Sequence, residues 1–228
     1  MPIRNGAAYL AALKDGRRIH LDGRRVADVT ADPAYRGTVA SFARLYDFQA
    51  APENRDLMTF ETSTGARVNR AWHLPQSPDD LVRRRRAIEA WSALNFGWLG
   101  RSPDHLATAL SGLMMGHDVM AQHDARRAAA FRDYFAYARD RDLFVTYVIQ
   151  NPQADKSKSA SSQARDLVLH AVDEDADGIT VSGAKMLGTS SVMADEIFVG
   201  NIQPLKVGEG AYALSFAMPM ATPGIVLL

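Results

Sequence analysis

The pattern of apolar residues changes once along this chain, near Leu143, and that change constrains the fold more than any other feature. Before it, apolar side chains recur at helical spacing. Tyr9, Leu10 and Leu13 do so within Gly6 to Lys14, and Val39, Phe42, Ala43, Leu45 and Tyr46 within Arg36 to Phe48. Ser77, ahead of Pro78-Asp79-Asp80, is placed to cap a helix running to about Phe96, with Leu81, Ile88, Trp91 and Leu94 as its apolar stripe. The Arg83-Arg84-Arg85-Arg86 run spreads around that helix and reads as solvated surface. A further helix is predicted from about Gln122 to Arg139. Arg18 to Val26 interrupts this half as a short hairpin turning on Asp22-Gly23.

Past Leu143 come short β-type runs: Phe144 to Ile149, Leu167 to Val172, Gly178 to Met186, Glu196 to Gly200 and Tyr212 to Met218. Turn residues such as Asp175-Ala176-Asp177-Gly178 and Gly208-Glu209-Gly210 separate them, while Pro152 to Ser162 is a polar tract with the composition of a mobile loop. The succession predicts an α+β chain: a mainly helical N-terminal domain over 1–141, then a middle β-domain over 142–228, built as a barrel or a compact antiparallel sheet. Ile225-Val226-Leu227-Leu228 is an apolar strand start. Natural termini are usually polar and frayed, so the expectation is a middle domain truncated at its C-terminal end.

Several functions are excluded or disfavoured. Lys and Arg number 26 and are balanced by 26 Asp and Glu, leaving no basic surplus for nucleic acid. The absence of cysteine removes disulfides, thiolate metal sites and iron–sulfur clusters. His117 and His123, with Asp118 and Asp124, match no standard ligand spacing, so no metal is expected. His20, His73 and His170 fall in strand-like runs and read as structural. No run approaches the ~20 apolar residues of a membrane span, and Met1 to Gly6 lacks a signal-peptide core; a soluble cytoplasmic protein is expected.

Three segments could carry chemistry. In Gly97-Trp98-Leu99-Gly100-Arg101-Ser102-Pro103-Asp104, Pro103 starts a helical turn, Asp104 lies where the helix dipole favours a carboxylate, and His105 shares a side with Arg101. Arg101 is either a surface arginine paired with Asp104 or a donor to a ligand. Asn151-Pro152-Gln153-Ala154-Asp155 is either an ordinary turn or a ligand loop. Ser182 to Ser191 contains two glycines, which mark either close approach of backbone to a ligand or a bulge capped by hydroxyls.

In this order and at these separations the three segments resemble the N-terminal and middle regions of the 4-hydroxyphenylacetate 3-hydroxylase family, the oxygenase components of two-component flavin-dependent aromatic hydroxylases. The resemblance implies an acyl-CoA-dehydrogenase-like fold whose C-terminal helical domain is absent from this chain. It implies hydroxylation of a phenol ortho to its hydroxyl, using O2 and reduced FAD from a separate NAD(P)H flavin reductase, by a homo-oligomer arranged as a dimer of dimers. Arg101, His105 and Tyr147 would face the substrate. Tyr147, Ile149, Gln153, Asp155, Lys156, Leu187, Gly188, Thr189 and Ser190 would line the flavin. His105 and Tyr147 stand exchanged relative to the family pattern, which has an aromatic tyrosine at the first position and a histidine at the second; both types can donate to a phenolate. Such chemistry needs the phenol oxygen polarised or deprotonated in a dry pocket. This chain alone is expected to be inactive. Two alternatives are a non-catalytic scaffold derived from the family and a flavin-dependent CoA-ester dehydratase relative, the latter disfavoured because it needs cysteine ligands.

Overall fold

The computed structural model describes residues 3–152, 154–155, 157–176 and 178–228. Helix α1 (Gly6–Ala12) is capped by Asn5, whose side chain accepts from the Ala8 amide at 2.9 Å. It lies so close to α2 (Arg36–Ala50) that a Cβ at Gly6 would come within 2.6 Å of the Ala43 carbonyl oxygen. Between them β1 (Ile19–Leu21) and β2 (Arg24–Val26) form the predicted antiparallel hairpin. Its turn residues Asp22 and Gly23 both have positive φ, as a type I′ turn requires. A short helix α3 (Arg55–Met58) leads into a second hairpin, β3 (Thr59–Glu61) with β4 (Arg67–Asn69).

Helix α4 (Pro78–Leu94) starts where expected, with the Ser77 side chain accepting from the Asp80 amide. Its buried face differs from the predicted stripe. Arg84, Ala87 and Trp91 are buried, whereas Leu81 and Leu94 are exposed. The period selects positions three and four apart, and Arg84 falls in that set; its guanidinium donates to the Ala71 carbonyl at 2.9 Å, which satisfies the buried head. One member of the arginine run is therefore core rather than solvated surface. Helices α5 (Pro103–Met115), α6 (His117–His123) and α7 (Ala125–Asp140) follow. The helix predicted from about Gln122 divides at Asp124, whose carboxylate accepts from the amides of Arg126 and Arg127 and starts α7 afresh. Among the described residues no helix is long and apolar enough to cross a membrane.

Beyond α7, β5 (Val145–Val148), β6 (His170–Glu174), β7 (Ile179–Ser182), β8 (Glu196–Val199) and β9 (Phe216–Pro219) occupy the β-rich part. The described strands do not close into the expected barrel. β5, β8 and β9 make a three-stranded sheet in that order, while β6 and β7 form a separate hairpin. β5 and β8 are parallel and β8 and β9 antiparallel, so the sheet is mixed; a parallel pair needs a long crossover, here the segment carrying the hairpin. Single bridges, Gln150 with Met186 and Val168 with Ala184, tie the crossover back to the exit of β5 and to itself. The Tyr212 to Met218 run is strand only from Phe216 onward. His73 follows a 3₁₀ turn rather than lying in a strand.

The helical and β-rich parts are cross-linked by buried polar groups. Arg4 forms a bidentate pair with Asp195 at 2.6 and 2.8 Å, and Asp195 also accepts from the Phe144 amide at 2.7 Å. Gln49 donates to the Asp142 carboxylate and to the Arg4 carbonyl, and accepts from Asn69 at 2.6 Å. Burial pushes the Asp142 carboxyl up to about 6, opposed by the Gln49 hydrogen bond and the charge of Arg4. At the far end, β1 bridges residue 227: the His20 amide donates to the Leu227 carbonyl and the Leu227 amide to the Arg18 carbonyl, both at 2.9 Å. Phe144, Val145 and Val148 each enter a different apolar cluster, with Trp91, Trp72 and Val199 among their respective companions. β5 and its first neighbour therefore sit where the cores meet.

Candidate active site

Helix α4 ends at a reversal made by Phe96 and Gly97, both with positive φ, and the Gly97 amide closes it by donating to the Ser92 carbonyl at 2.9 Å. The chain then crosses the surface through an exposed Trp98 and re-enters helix at Pro103, the first residue of α5. That path delivers Arg101 just before the helix and His105 within its first turn. Ser102 Oγ donates to the Asp104 carboxylate, so the anticipated Arg101–Asp104 pair does not form. Among the described residues Arg101 has no ion pair, and its guanidinium lies over the Tyr147 ring, 5.2 Å from the centroid. His105 stacks on the same ring at 5.6 Å and 26°. The three substrate-facing candidates, drawn from an α-helix start and from β5, meet in one cluster.

Burial lowers the His105 imidazole below its ordinary range, the Arg101 charge adds to that, and Asp104 opposes it. Burial raises Asp104, against its hydrogen bond from Ser102 and the charges of His105 and Arg84. The cluster thus presents a permanent cation, an imidazole that stays neutral at neutral pH, and a phenolic hydroxyl. Such a set attracts and hydrogen-bonds an oxyanion.

The other segments lie against the same strand. The Met186 amide donates to the Gln150 carbonyl at 2.9 Å, and Thr146 Oγ1 donates to the Thr189 carbonyl at 2.6 Å, so residues 186–189 run beside β5. Leu187 and Ser190 both have positive φ, which leaves Leu187 and Thr189 exposed on either side of Gly188. Ile149, at the exit of β5, packs near Gly200. The first glycine of this segment has a different task from the one anticipated: Gly183 has φ 107° and its Cβ would stand 2.5 Å from the Val168 carbonyl oxygen, so it permits backbone to approach backbone, not ligand.

In the loop after β5, Asp155 uses its carboxylate internally. It accepts from the amide and hydroxyl of Ser157 at 3.0 and 2.6 Å and pairs with Lys158, contacts that hold it below the usual carboxylate range. Gln153 and Lys156 lie outside the described residues. A cleft of about 330 Å³ opens beside this loop, lined by Asn151, Pro152, Asp155, Gln163 and Gln203 among others. Two residues that sequence reasoning missed shape it. Lys185 donates to Asn151 at 2.9 Å and to Asn201 at 2.6 Å, joining the exits of β5 and β8. Glu209 accepts from the Ser161 amide and hydroxyl and from the Lys206 amide, which hold its carboxyl down at about 2. Glu209 stands in a stretch that reads only as a turn, and Lys185 in one noticed for its glycines.

Comparison with known proteins places the chain in a family. Over 229 residues, 99% of this chain and 46% of the relative, it is 35% identical to the oxygenase component of 4-hydroxyphenylacetate 3-monooxygenase from a Geobacillus strain. It is 38% identical to the oxygenase component of 4-nitrophenol 2-monooxygenase from Rhodococcus, covering 97% of this chain and 42% of that one. A solved oxygenase component of 4-hydroxyphenylacetate 3-monooxygenase, complexed with FAD and 4-hydroxyphenylacetate, superposes with a TM-score of 0.89 at 35% identity, covering 98% of this chain and 46% of that one. A 4-hydroxybutyryl-CoA dehydratase from N. maritimus, at 24% identity and a TM-score of 0.84 over 97% of this chain and 44% of its own, shares the fold. The chain therefore spans less than half the length of the relatives it matches. Residues 5–228 match the family described as 4-hydroxyphenylacetate 3-hydroxylase N terminal, and the chain belongs to that family.

Proposed function

We propose that this chain forms the N-terminal and middle parts, divided near 141–142, of the oxygenase component of a two-component flavin-dependent monooxygenase that hydroxylates a phenol ortho to its hydroxyl. The observation that carries the reading is the meeting of Arg101, His105 and Tyr147 around one aromatic ring, with residues 186–189 hydrogen-bonded along the strand that bears Tyr147.

The described residues fit the edge of a flavin. The cleft beside Asn151 and Gln163 is open and lined by amide side chains. Next to β5, Thr189 is exposed with its carbonyl engaged by Thr146, and its hydroxyl has no partner among the described residues. Reduced FAD, delivered by a separate NAD(P)H-dependent reductase, would supply the activated dioxygen. Ile149, Leu187, Gly188, Thr189 and Ser190 would hold it, with Asp155 acting through the fold of its loop and Gln153 and Lys156 completing the set.

For the substrate, Arg101 concentrates negative charge on the phenolic oxygen, and His105 and Tyr147 hydrogen-bond to it. Charge held on that oxygen raises electron density at the neighbouring ring carbon, which is where oxygen is to be added. Fixing the ring within this cluster also removes much of the entropic cost of bringing two reactants together. The protein would act in the cytoplasm as a homotetramer built as a dimer of dimers. The test is to supply the complete protein with chemically reduced FAD, O2 and a panel of phenols and to measure catechol formed per flavin oxidised. Catechol in substantial yield supports the reading; flavin oxidation without catechol from any phenol overturns it.

A further inference from the structure

Two consecutive residues of β5 face in opposite directions. Side chains of a strand alternate between its faces, so Tyr147 turns toward Arg101 and His105 while Thr146 turns the other way. β8 repeats the division: Phe198, paired with Tyr147, packs against the cluster of Leu106 and Leu110, and Ile197, paired with Thr146, belongs to that of Leu169 and Met220. The turn of residues 187–190 lies on this second face, where a Cβ at Gly188 would stand 3.7 Å from Ile197 Cδ1. We infer that Thr146 is a positioning residue for the flavin, its hydroxyl holding the turn that bears Leu187, Gly188, Thr189 and Ser190. The inference rests on the proposed function, which gives those four residues to the flavin.

Such a turn needs to be held. Leu187 and Ser190 have left-handed backbone, with φ 65° and 67°, a conformation that residues bearing side chains adopt at a cost and keep only where the surroundings fix it. Backbone hydrogen bonds tie its two ends: the Met186 amide donates to the Gln150 carbonyl and the Met193 amide to the Ser190 carbonyl, both at 2.9 Å. A side chain ties its middle. Thr146 is buried, and its Oγ1 donates to the Thr189 carbonyl at 2.6 Å, near the short end for a hydroxyl donor. A β-branched residue is stiff at χ1, so the hydroxyl is delivered in one direction.

The tie also fixes a peptide plane. In a trans peptide the carbonyl and the following amide point in opposite directions. Drawing the Thr189 carbonyl against β5 therefore turns the Ser190 amide away from the strand, as a donor whose direction no longer has to be found when a ligand arrives. Because Thr146 and Tyr147 are adjacent, the turn and the aromatic cluster are both set by the position of one strand. A shift of β5 would move the two together and keep their spacing.

The experiment uses the complete protein, prepared free of flavin, with Thr146→Val, which keeps the branched shape and removes the donor, and Thr146→Ser, which keeps the donor. Thr59→Val is the control: Thr59 is a buried threonine of β3 whose hydroxyl donates to the Arg55 carbonyl at 2.5 Å. Two quantities are read: hydrogen exchange at the amides of residues 187–191 without flavin, and the dissociation constant for reduced FAD by anaerobic equilibrium dialysis. Thr146→Val should speed exchange at 187–191 and raise the dissociation constant about tenfold or more, while Thr146→Ser stays within about threefold of the unaltered protein. Thr59→Val should leave both quantities unchanged. Should Thr146→Val not fold, Thr146→Cys, whose thiol is a weak donor, takes its place. Unchanged exchange at 187–191 in the donor-deleted variant, unchanged affinity, or a loss that Thr59→Val shares or Thr146→Ser fails to rescue overturns the inference while leaving the flavin reading intact. If the unaltered protein binds no reduced FAD, the flavin reading itself falls, and this inference with it.

Discussion

The cluster around Tyr147 and the loop that follows β5 are neighbours in sequence but are held in place by different means. Arg101, His105 and Tyr147 project from the start of a helix and from a strand, and both elements are anchored in apolar cores through Leu106, Leu110 and Val145. The loop has little such anchoring. It keeps its shape through Asp155 binding Ser157, Gln163 Nε2 donating to the Asp155 carbonyl at 2.7 Å, and Glu209 reaching across to Ser161. Side chains on regular elements are fixed by packing and have little freedom; a loop held by a few polar contacts opens at low cost. The comparison teaches that the Tyr147 cluster is preorganised by packing, and that the loop after β5 is the part that can adjust at low cost.

The largest expected effect separates function from stability in the first region. Arg101→Ala should lower kcat/KM for phenol hydroxylation in the complete protein by roughly 100-fold, in line with loss of a hydrogen bond to a charged group, while the melting temperature changes little. A matching loss of stability would mean that Arg101 is a packing residue and would erase the contrast.

Next, Gly183→Ala should destabilise by on the order of 2 kcal/mol, because the new Cβ meets the Val168 carbonyl and the backbone there is left-handed. Loss of amide protection should concentrate in β6 and β7, with β5 spared, as hydrogen exchange can show. Uniform loss would indicate that hairpin and sheet open as one unit.

A smaller, pH-dependent effect is expected at Asp142, which turns the chain into β5. Its folded carboxyl titrates near 6, above the unfolded value, so the folded state holds its proton more tightly. Stability from this group is fully present at low pH and is lost as pH rises from the ordinary carboxylate range through 6. Asp142→Asn keeps an oxygen for Gln49 and tolerates the positive φ of this position. It should stabilise by about 1 kcal/mol at pH 7.5 and have almost no effect at pH 4, measured by denaturant unfolding. Equal effects at both pH values would show that Asp142 does not titrate in this window.

The smallest effect should come from Glu209→Gln. The carboxyl is held down at about 2 in the folded protein, so its contribution is complete above the ordinary glutamate range and fades as pH falls toward 2. At neutral pH the variant should speed exchange of the Ser161 and Lys206 amides and leave the Tyr147 cluster untouched. Faster exchange throughout β5 would couple the two regions that the structure holds by separate means.

Much of this was legible in the sequence. Ser77 and Pro103 mark helix starts with chemistry that depends only on neighbouring residues, and Asp22-Gly23 does the same for a turn. The meeting of Arg101 and His105 with Tyr147 was legible only through family resemblance, because no spacing rule joins a helix start to a strand so far along the chain. Arg84 was misread since a run of four arginines hides which one falls on the buried face. The barrel was mispredicted because runs of four or five β-type residues announce strands without announcing partners; the parallel pairing of β5 with β8 is a long-range choice. The Asp142, Gln49 and Asn69 network left no local sign beyond polar residues in otherwise apolar surroundings.

The bridge between β1 and residue 227 bears on the order in which this chain assembles during synthesis. The hairpin of residues 19–26 is made well before residue 227, yet the backbone edge formed by Arg18 and His20 takes its hydrogen bonds from Leu227. A ribosome adds about 200 residues between the two at roughly 5–20 per second, so that edge waits on the order of ten seconds or longer, unpaired, for a strand not yet made. An open strand edge is a template for wrong pairing, and closing so long a loop carries an entropic cost. β1 is thus made long before the partner that locks it, and stays open on that side until residue 227 has followed.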